Sequence, residues 1–268
     1  MEKYSVLMAV YCKDDPGHFR CAADSILAQT VASDDIVLVC DGPVDGELLR
    51  AVEEYKDSFR IIKLDQNIGL GAALNEGLRY CRHDLVARMD SDDICKPDRC
   101  EKQLALFEKY PQLGLVSSAV EEFRDAETNS VGTRALPVAH GDILKYSKRR
   151  NPFNHPAVMF RKSEVEKAGG YTEEFHFFED YDLWVRMLKN GTETRNTSEP
   201  LLLMRVSDDM YKRRGGAKYA NDLLRFHKML LKTGYINLSD FLFCACPHAA
   251  VCVMPNGVRK AVYGKLRK

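Results

Sequence analysis

Asp90-Ser91-Asp92-Asp93 is the group in this chain best suited to chemistry. A hard divalent cation takes carboxylate oxygens, and acids alternating along one turn present two of them together. Such an ion neutralises charge on a departing diphosphate; the plain alternative is a solvated acidic turn capping the next helix. A second acidic group, Glu179-Asp180-Tyr181-Asp182, precedes an apolar stretch of helical spacing. Carboxylates favour a helix N-terminus electrostatically, so capping competes with a general base that takes the proton of an attacking hydroxyl. Lys212-Arg213-Arg214-Gly215-Gly216 reads either as a diphosphate clamp or as a solvated charge run. Asn67-Ile68-Gly69-Leu70-Gly71 is no dinucleotide fingerprint, because Leu74 stands where the third glycine belongs. It is either a plain turn or a helix start that lets a ligand approach the backbone. Trp184 has core spacing with Leu183 and Leu188, with sugar stacking as its second reading.

Groups of this kind need rigid elements beneath them, and the first half of the chain alternates strand and helix signals. Residues 4–10 form a short apolar run suited to a buried parallel strand. Phe19, Ala22, Ala23, Ile26 and Leu27 then mark one helical face. Residues 36–40 make a second strand ending at the turn signal Asp41-Gly42. Leu48, Leu49, Val52 and Tyr55 are helical, and residues 60–64 are a third strand. Leu70, Ala73, Leu74, Leu78 and Cys81 share a helical face ahead of an apolar fourth strand over 84–89. This alternation predicts an α/β fold with a mostly parallel, Rossmann-like sheet and helices on both faces. Ligands of such sheets bind beyond the carboxyl ends of the strands, where Asp14, Asp15, Asp41 and Asp90 to Asp93 all fall. In the second half Pro97 opens a helix. Residues 113–120, 156–161 and 200–206 read as strands, and 124–150 as polar and irregular. Glu179 starts a helix whose inner face is Leu183, Trp184, Met187 and Leu188, and residues 215–233 are helical.

Composition narrows the functions open to such a chain. Its 268 residues, 45% hydrophobic and 29% charged, suffice for a large α/β domain with a full core. The 39 basic and 39 acidic residues cancel, so no global positive field supports a nucleic-acid partner. The nine cysteines contain no C-x-x-C pair and read as reduced thiols in a cytosol. Cys244, Cys246, His248 and Cys252 lack a second ligand pair at zinc spacing and read as small hydrophobes. Met1 runs almost directly into the first strand, leaving no room for a targeting peptide.

In order along residues 4–216, the motifs resemble family 2 glycosyltransferases of the GT-A fold. Within that family they are similar to bacterial exopolysaccharide and capsule enzymes of the amylovoran-biosynthesis type. The matching segments are Ser5 to Tyr11, Ser25 to Thr30, Asn67-Ile68-Gly69 with Ala72 to Asn75, and Ala87 to Asp93. Asn154-His155-Pro156 and Phe178 to Trp184 follow. The resemblance implies an inverting, metal-dependent transfer of a hexose from a UDP-linked sugar to a hydroxyl of a lipid-linked glycan. It gives Val10, Asp14 and Asp41 to the nucleotide, with Tyr11, Asn67, Gly69, Ser91, Arg213 and Arg214 on the donor side. Asp90 and Asp92 become the D-x-D that binds Mn²⁺ or Mg²⁺, Asp92 the more direct ligand. Asp180 becomes the base and Glu179 helps to place the acceptor, beside His155 and Trp184. Two departures stand out. Cys40 and Pro43 replace an acid and a serine around the second strand end, and Asp208 or a water takes the place of a histidine ligand after the last strand.

Residues 241–254 are mostly apolar but shorter than the roughly 20 residues that cross a bilayer. The last ten residues carry Arg259, Lys260, Lys265, Arg267 and Lys268 and no acid. A core-packing helix and a helix lying in an anionic interface both fit; the basic tail favours the interface. The expected organisation is a transferase domain over 1–216 and a helical, membrane-interfacial segment over 217–268. The expected place is the cytoplasm, in peripheral contact with the inner face of the cell membrane. A sugar-nucleotide nucleotidyltransferase would share the sheet and acidic site, but needs a basic glycine-rich phosphate loop where Asp14-Asp15-Pro16-Gly17 stands. A non-catalytic glycan-binding protein on the same fold predicts a missing base or D-x-D, and both are present.

Overall fold

The computed structural model describes residues 2–124, 126–175, 177–207, 215–255, 257 and 259. Its parallel half consists of β1 (Tyr4–Val10), β2 (Ile36–Cys40), β3 (Arg60–Lys63) and β4 (Leu85–Met89), in the order β3-β2-β1-β4. Helices α1 (Pro16–Leu27), α2 (Gly46–Glu54) and α3 (Leu70–Tyr80) connect them. Strand periodicity divides the core into two layers. Val6, Met8 and Val10 face α1 and α2 with Phe19, Ala22 and Val52, whereas Leu7 faces α3 with Ala73, Leu74 and Leu78. Successive side chains on a strand point to opposite faces, so an apolar run is what a strand covered on both sides needs.

Beyond β4 the sheet is mixed. β5 (Ile94–Cys95) and α4 (Arg99–Lys109) lead to β6 (Leu113–Arg124), and β8 (Met159–Arg161) runs antiparallel between β4 and β6. β9 (Glu193–Arg205) pairs parallel with β6 and antiparallel with β5. The stretch expected to be irregular, 124–150, instead holds β7 (Ala126–Arg134), paired with β6, and α5 (His140–Tyr146). β7 is exposed along nearly its whole length, so it needs no apolar alternation and its sequence shows none. The strand expected over 156–161 is a 3₁₀ turn at His155–Ala157 followed by β8. α6 (Lys162–Lys167) and α7 (Glu179–Lys189) complete the layer against Leu7 and α3, with Val165, Leu183 and Met187 inward.

After β9, α8 (Ala217–Lys232) packs on α7 through Tyr219, Leu223, Phe226 and Leu230 against Phe178, Tyr181 and Val185. The last helical stretch runs through α9 (Leu238–Asp240), a π-helical turn (Phe241–Ala245) and α10 (Cys246–Cys252). Ala245, Ala249 and Cys252 join the same cluster. No helix among the described residues is long and apolar enough to cross a membrane. All nine cysteines are free thiols.

Candidate active site

The carboxyl ends of β2, β1 and β4 lie side by side along one sheet edge, and Glu179 at the N-terminus of α7 comes close enough to feel the charges of Arg88 and Asp90 there; the space between them is the candidate cleft. At β1, Asp14 accepts hydrogen bonds from the Tyr11 amide at 3.2 Å and the Ser91 hydroxyl at 2.8 Å. The acidic turn is thereby tied to the first strand's loop. Asp15 caps α1, accepting from the His18 amide at 2.9 Å. Val10, expected at the nucleotide, is 1% exposed within the core, and its carbonyl accepts from the Asp41 amide at 2.8 Å. It therefore shapes the strand end from beneath and offers no side chain to a ligand.

Asp41 is buried, and both its carboxylate oxygens serve the neighbouring loop. Oδ1 accepts from the Ile68 amide at 2.7 Å; Oδ2 accepts from the Gly69 amide at 3.1 Å and Asn67 Nδ2 at 3.0 Å. Gly42, at φ +87°, makes room for this, since a Cβ there would sit 2.6 Å from the Asn67 amide nitrogen. Asp41, Asn67 and Gly69 thus form one clasp that sets the start of α3. Gly71 has a different use from the ligand approach its sequence suggested. A Cβ on it would lie 3.3 Å from both Tyr171 Cβ and the Thr172 carbonyl and 3.4 Å from Glu179 Cβ. Its lack of a side chain lets α3 meet the segment leading to α7.

At β4 the carboxylates of Asp90, Asp92 and Asp93 offer oxygens that all lie within 4.8 Å of one another. The family resemblance gave the ligand role to Asp90 and Asp92; Asp93, the last acid of the same cluster, turns inward and is 2% exposed. Asp93 Oδ1 accepts from the Arg205 amide at 2.8 Å, while Oδ2 is buried without a hydrogen-bond partner. Burial, then the charges of Asp90 and Asp92, push its carboxyl well above the ordinary range. Burial and the like charges of Asp90 and Asp14 push Asp92 up to about 6, although its side chain reaches solvent. Arg205 crosses this edge, its Nε donating to the Asp92 carbonyl at 3.0 Å.

The strand that carries this group is not wholly apolar. Arg88, 1% exposed, donates from Nη2 to Asp90 Oδ1, while its Nε and Nη1 have no hydrogen-bond partner. On the far side of the cleft Glu179 Oε2 is likewise buried without a partner. Burial and the neighbouring Asp180 raise Glu179 to about 8, with Arg88 opposing and Asp90 reinforcing the shift. Asp180 accepts from Asn151 Nδ2 at 2.6 Å and from the Tyr181 amide at 2.7 Å. Asp182 belongs to neither group: it is buried and bonds Arg186 Nε at 2.8 Å.

His155 shares a hydrogen bond of 3.0 Å with the Tyr171 hydroxyl. Burial and the nearby Arg88 hold its imidazole well below the ordinary range, hence neutral at pH 7. Asn75 fixes Tyr171 through two backbone hydrogen bonds of 2.8 Å. Trp184 does not line the cleft, contrary to the acceptor-binding expectation. It is 0% exposed, walled by Phe153, His155, Phe160 and Tyr171 at centroid distances of 5.8–6.3 Å. An indole closed in on these sides cannot stack on a sugar; it supports His155 from behind. Asp208, Arg213 and Arg214 lie outside the described residues. Arg88, Asn151, Tyr171 and Arg205 are the cleft residues that spacing did not single out. An arginine inside a buried strand is the one signal that could have exposed any of them.

Residues 5–169 match the family model described as Glycosyl transferase family 2. The chain is 40% identical over 266 residues to the UDP-Gal:alpha-D-GlcNAc-diphosphoundecaprenol beta-1,3-galactosyltransferase of Escherichia coli, covering 98% of this chain and 96% of that one. It is 36% identical over 270 residues to the amylovoran biosynthesis glycosyltransferase AmsE of Erwinia amylovora, covering 99% of each. Among solved structures, S. aureus TarS 1-349 in complex with UDP-GlcNAc superposes with a TM-score of 0.62 at 16% identity. That match covers 83% of this chain and 66% of the TarS chain, just under two thirds of its length. At this identity the likeness concerns the fold.

Proposed function

Because the chain belongs to glycosyl transferase family 2, we propose that its cleft transfers a hexose with inversion from a UDP-linked donor. The acceptor is a hydroxyl of a lipid-linked glycan in bacterial surface polysaccharide synthesis, reached at the inner face of the cell membrane. The observation that carries this reading is the meeting of two carboxylate groups in one cleft, Asp90, Asp92 and Asp93 facing Glu179 and Asp180, with buried Arg88 between them. A single-displacement transfer needs both: something to take charge from the leaving diphosphate and something to take the proton of the incoming hydroxyl. The donor and acceptor classes follow the printed names of the E. coli relative and of the UDP-GlcNAc complex of TarS.

A Mn²⁺ or Mg²⁺ ion suits the first group, whose donors are hard carboxylate oxygens and include the unpartnered buried Oδ2 of Asp93. Asp92 and Asp90 are its ligands in this reading, and the bound ion neutralises charge on the leaving diphosphate. Asp14, Tyr11 and Ser91 form the edge that receives the nucleoside, and the Asp41 clasp holds the loop beside it. Asp180 is the base. Asn151 aims its carboxylate, and Glu179, protonated at neutral pH, donates a hydrogen bond to the acceptor. His155, neutral and held by Tyr171, borders the acceptor side.

Purified protein supplied with UDP-sugars, Mn²⁺ and a GlcNAc-diphosphate lipid tests this by release of UDP and formation of product. Asp180→Asn should lower turnover at least a hundredfold and keep donor binding, on the order of the loss expected when a general base is removed. Asp92→Asn should weaken donor binding only when metal is present. The reverse pattern, or no UDP release with any donor, refutes the assignment.

A further inference from the structure

A helix on a protein's surface ordinarily turns its large apolar residues inward and its small or polar ones out. Much of the stretch from α9 to α10 does the opposite. Its inward positions are the small Ala245, Ala249 and Cys252, with the buried Asp240 and the partly buried Phe241 ahead of them. Its outer face carries Leu238, Leu242, Phe243, Val253 and Met254, exposed by 59%, 49%, 78%, 58% and 38%. These are five of the ten large hydrophobics exposed among the described residues. The π-helical turn at Phe241–Ala245 leaves the consecutive Leu242 and Phe243 both outward. Small inward residues bring the stretch close to α8, but nothing in the described chain offsets so much apolar surface in water.

We propose that this face is the protein's docking surface for an anionic lipid bilayer, with Leu242 and Phe243 inserting below the headgroups. Charge selects this occupant over a second copy of the chain. From Leu238 to Lys268 the sequence has five Lys or Arg and one acid, the buried Asp240, which pairs with Arg149 at 3.3 Å; this balance attracts an anionic leaflet and repels its own duplicate. Of these cations Arg259 is engaged, its Nη1 donating to the Cys252 carbonyl at 2.9 Å. The same carbonyl accepts from the Gly216 amide at 2.8 Å, so the end of α10 is fastened to the start of α8. α8 packs on Tyr181, two residues beyond Glu179 in α7. The helix that carries the docking face and the helix that carries Glu179 therefore contribute their inner residues, Ala245, Ala249 and Cys252 on one side and Tyr181 and Val185 on the other, to one apolar cluster. A lipid-linked acceptor held in the same leaflet then meets the cleft without leaving the membrane. That last consequence rests on the transferase reading above; the docking itself does not.

Full-length protein is floated with vesicles of phosphatidylethanolamine and phosphatidylglycerol, and with vesicles of phosphatidylcholine alone. Wild type should float with the first and only weakly with the second. Leu242→Ser and Phe243→Ser should each weaken partition about tenfold, roughly a hundredfold together, from the apolar area each withdraws. Phe243→Trp adds an indole in water to a chain whose Trp184 is fully buried; its emission should shift blue on anionic vesicles and be quenched by brominated lipid. The proposal is overturned if the double serine variant floats as wild type does, or if Phe243→Trp shows no shift. It is equally overturned if wild type without lipid is a dimer that the double variant dissolves. Turnover separates this from the transferase reading. Leu242→Ser/Phe243→Ser should match wild type on a short-chain, water-soluble acceptor and fall only on acceptor embedded in vesicles. If wild type transfers to neither acceptor, the transferase reading fails, and flotation still decides the docking.

Discussion

Replacing Arg88 by methionine, which keeps the bulk of the side chain and removes its charge, tests whether a buried cation holds the two carboxylate groups together. Arg88 is 1% exposed and paired with Asp90, whose side chain is 33% exposed. Breaking a fully buried pair from one side costs about 3–5 kcal/mol. The partial exposure of Asp90 lets water recover part of this, which brings the expected loss to about 2–3 kcal/mol. Two unpartnered guanidinium nitrogens also leave the core with the substitution, so the lower end of that range is the better guide. For a chain of 268 residues the loss corresponds to a fall in Tm of roughly 4–6 °C at pH 8.5. Glu179, pushed up to about 8 by burial and Asp180, is ionised there and lacks its nearest opposing cation in the variant. At pH 5.5 it is protonated, and the deficit should shrink. Thermal unfolding of Arg88→Met, with Arg88→Lys as a charge-retaining control, is measured at both pH values with chelator present. An equal loss at the two pH values would show that Arg88 serves Asp90 alone and does not reach across to Glu179. A gain in Tm at pH 8.5 would mean that its desolvation outweighs its pairing, and would refute the bridging role.

Glu179→Gln should act in the opposite sense. A carboxyl raised from 4.5 to about 8 favours the folded state below pH 4.5, and that contribution is lost as pH rises through 8. The variant should therefore match wild type near pH 4.5 and be about 1–3 kcal/mol more stable at pH 9, after allowance for its partial exposure; coincident denaturation curves at pH 9 would defeat this. Asp41→Ala removes the acceptor of hydrogen bonds from Ile68, Gly69 and Asn67. Because Asn67 and Ile68 are exposed and water can replace the carboxylate, the loss should be about 2 kcal/mol, with faster amide exchange at Ile68 and Gly69. Unchanged protection of those amides would show that the loop does not depend on Asp41.

The parallel half of the GT-A fold was legible because β1, β2 and β4 are covered on both faces and so read as unbroken apolar runs. β7 was not legible, since it is a strand only by pairing with β6 and its exposed residues carry no period. The antiparallel insertion of β8 between β4 and β6 was equally hidden, because pairing partners depend on topology rather than on a short run's composition. In the cleft, Asp90, Asp92, Glu179 and Asp180 were legible from their place at a strand end and a helix start. Asn151 reaches Asp180 across 29 residues, and no local pattern announces such a contact. Trp184 was misassigned to the acceptor because a lone tryptophan invites a sugar. Its spacing with Leu183 and Leu188 already placed it in the core, where it is found.

The acids of this cleft perform three different tasks, and burial alone does not sort them. Asp41 and Asp93 are both nearly inaccessible. Asp41 has hydrogen-bond donors at both oxygens, so its charge is spent on architecture. Asp93 has one oxygen satisfied and one without a partner, which leaves a buried lone pair facing a group of like charges. Such an arrangement is unfavourable until a cation or a proton joins it, and burial with the neighbouring like charges raises the Asp93 and Asp92 carboxyls accordingly. Glu179 has the same unpartnered oxygen but sits against Asp180 and Arg88. There a single proton relieves the charge and at the same time creates a donor for an acceptor hydroxyl. The two unpartnered oxygens therefore differ in their surroundings: Asp93 stands beside the two further carboxylates of Asp90 and Asp92, a set that suits the divalent ion proposed above, whereas Glu179 stands beside Asp180 and Arg88, where one proton suffices.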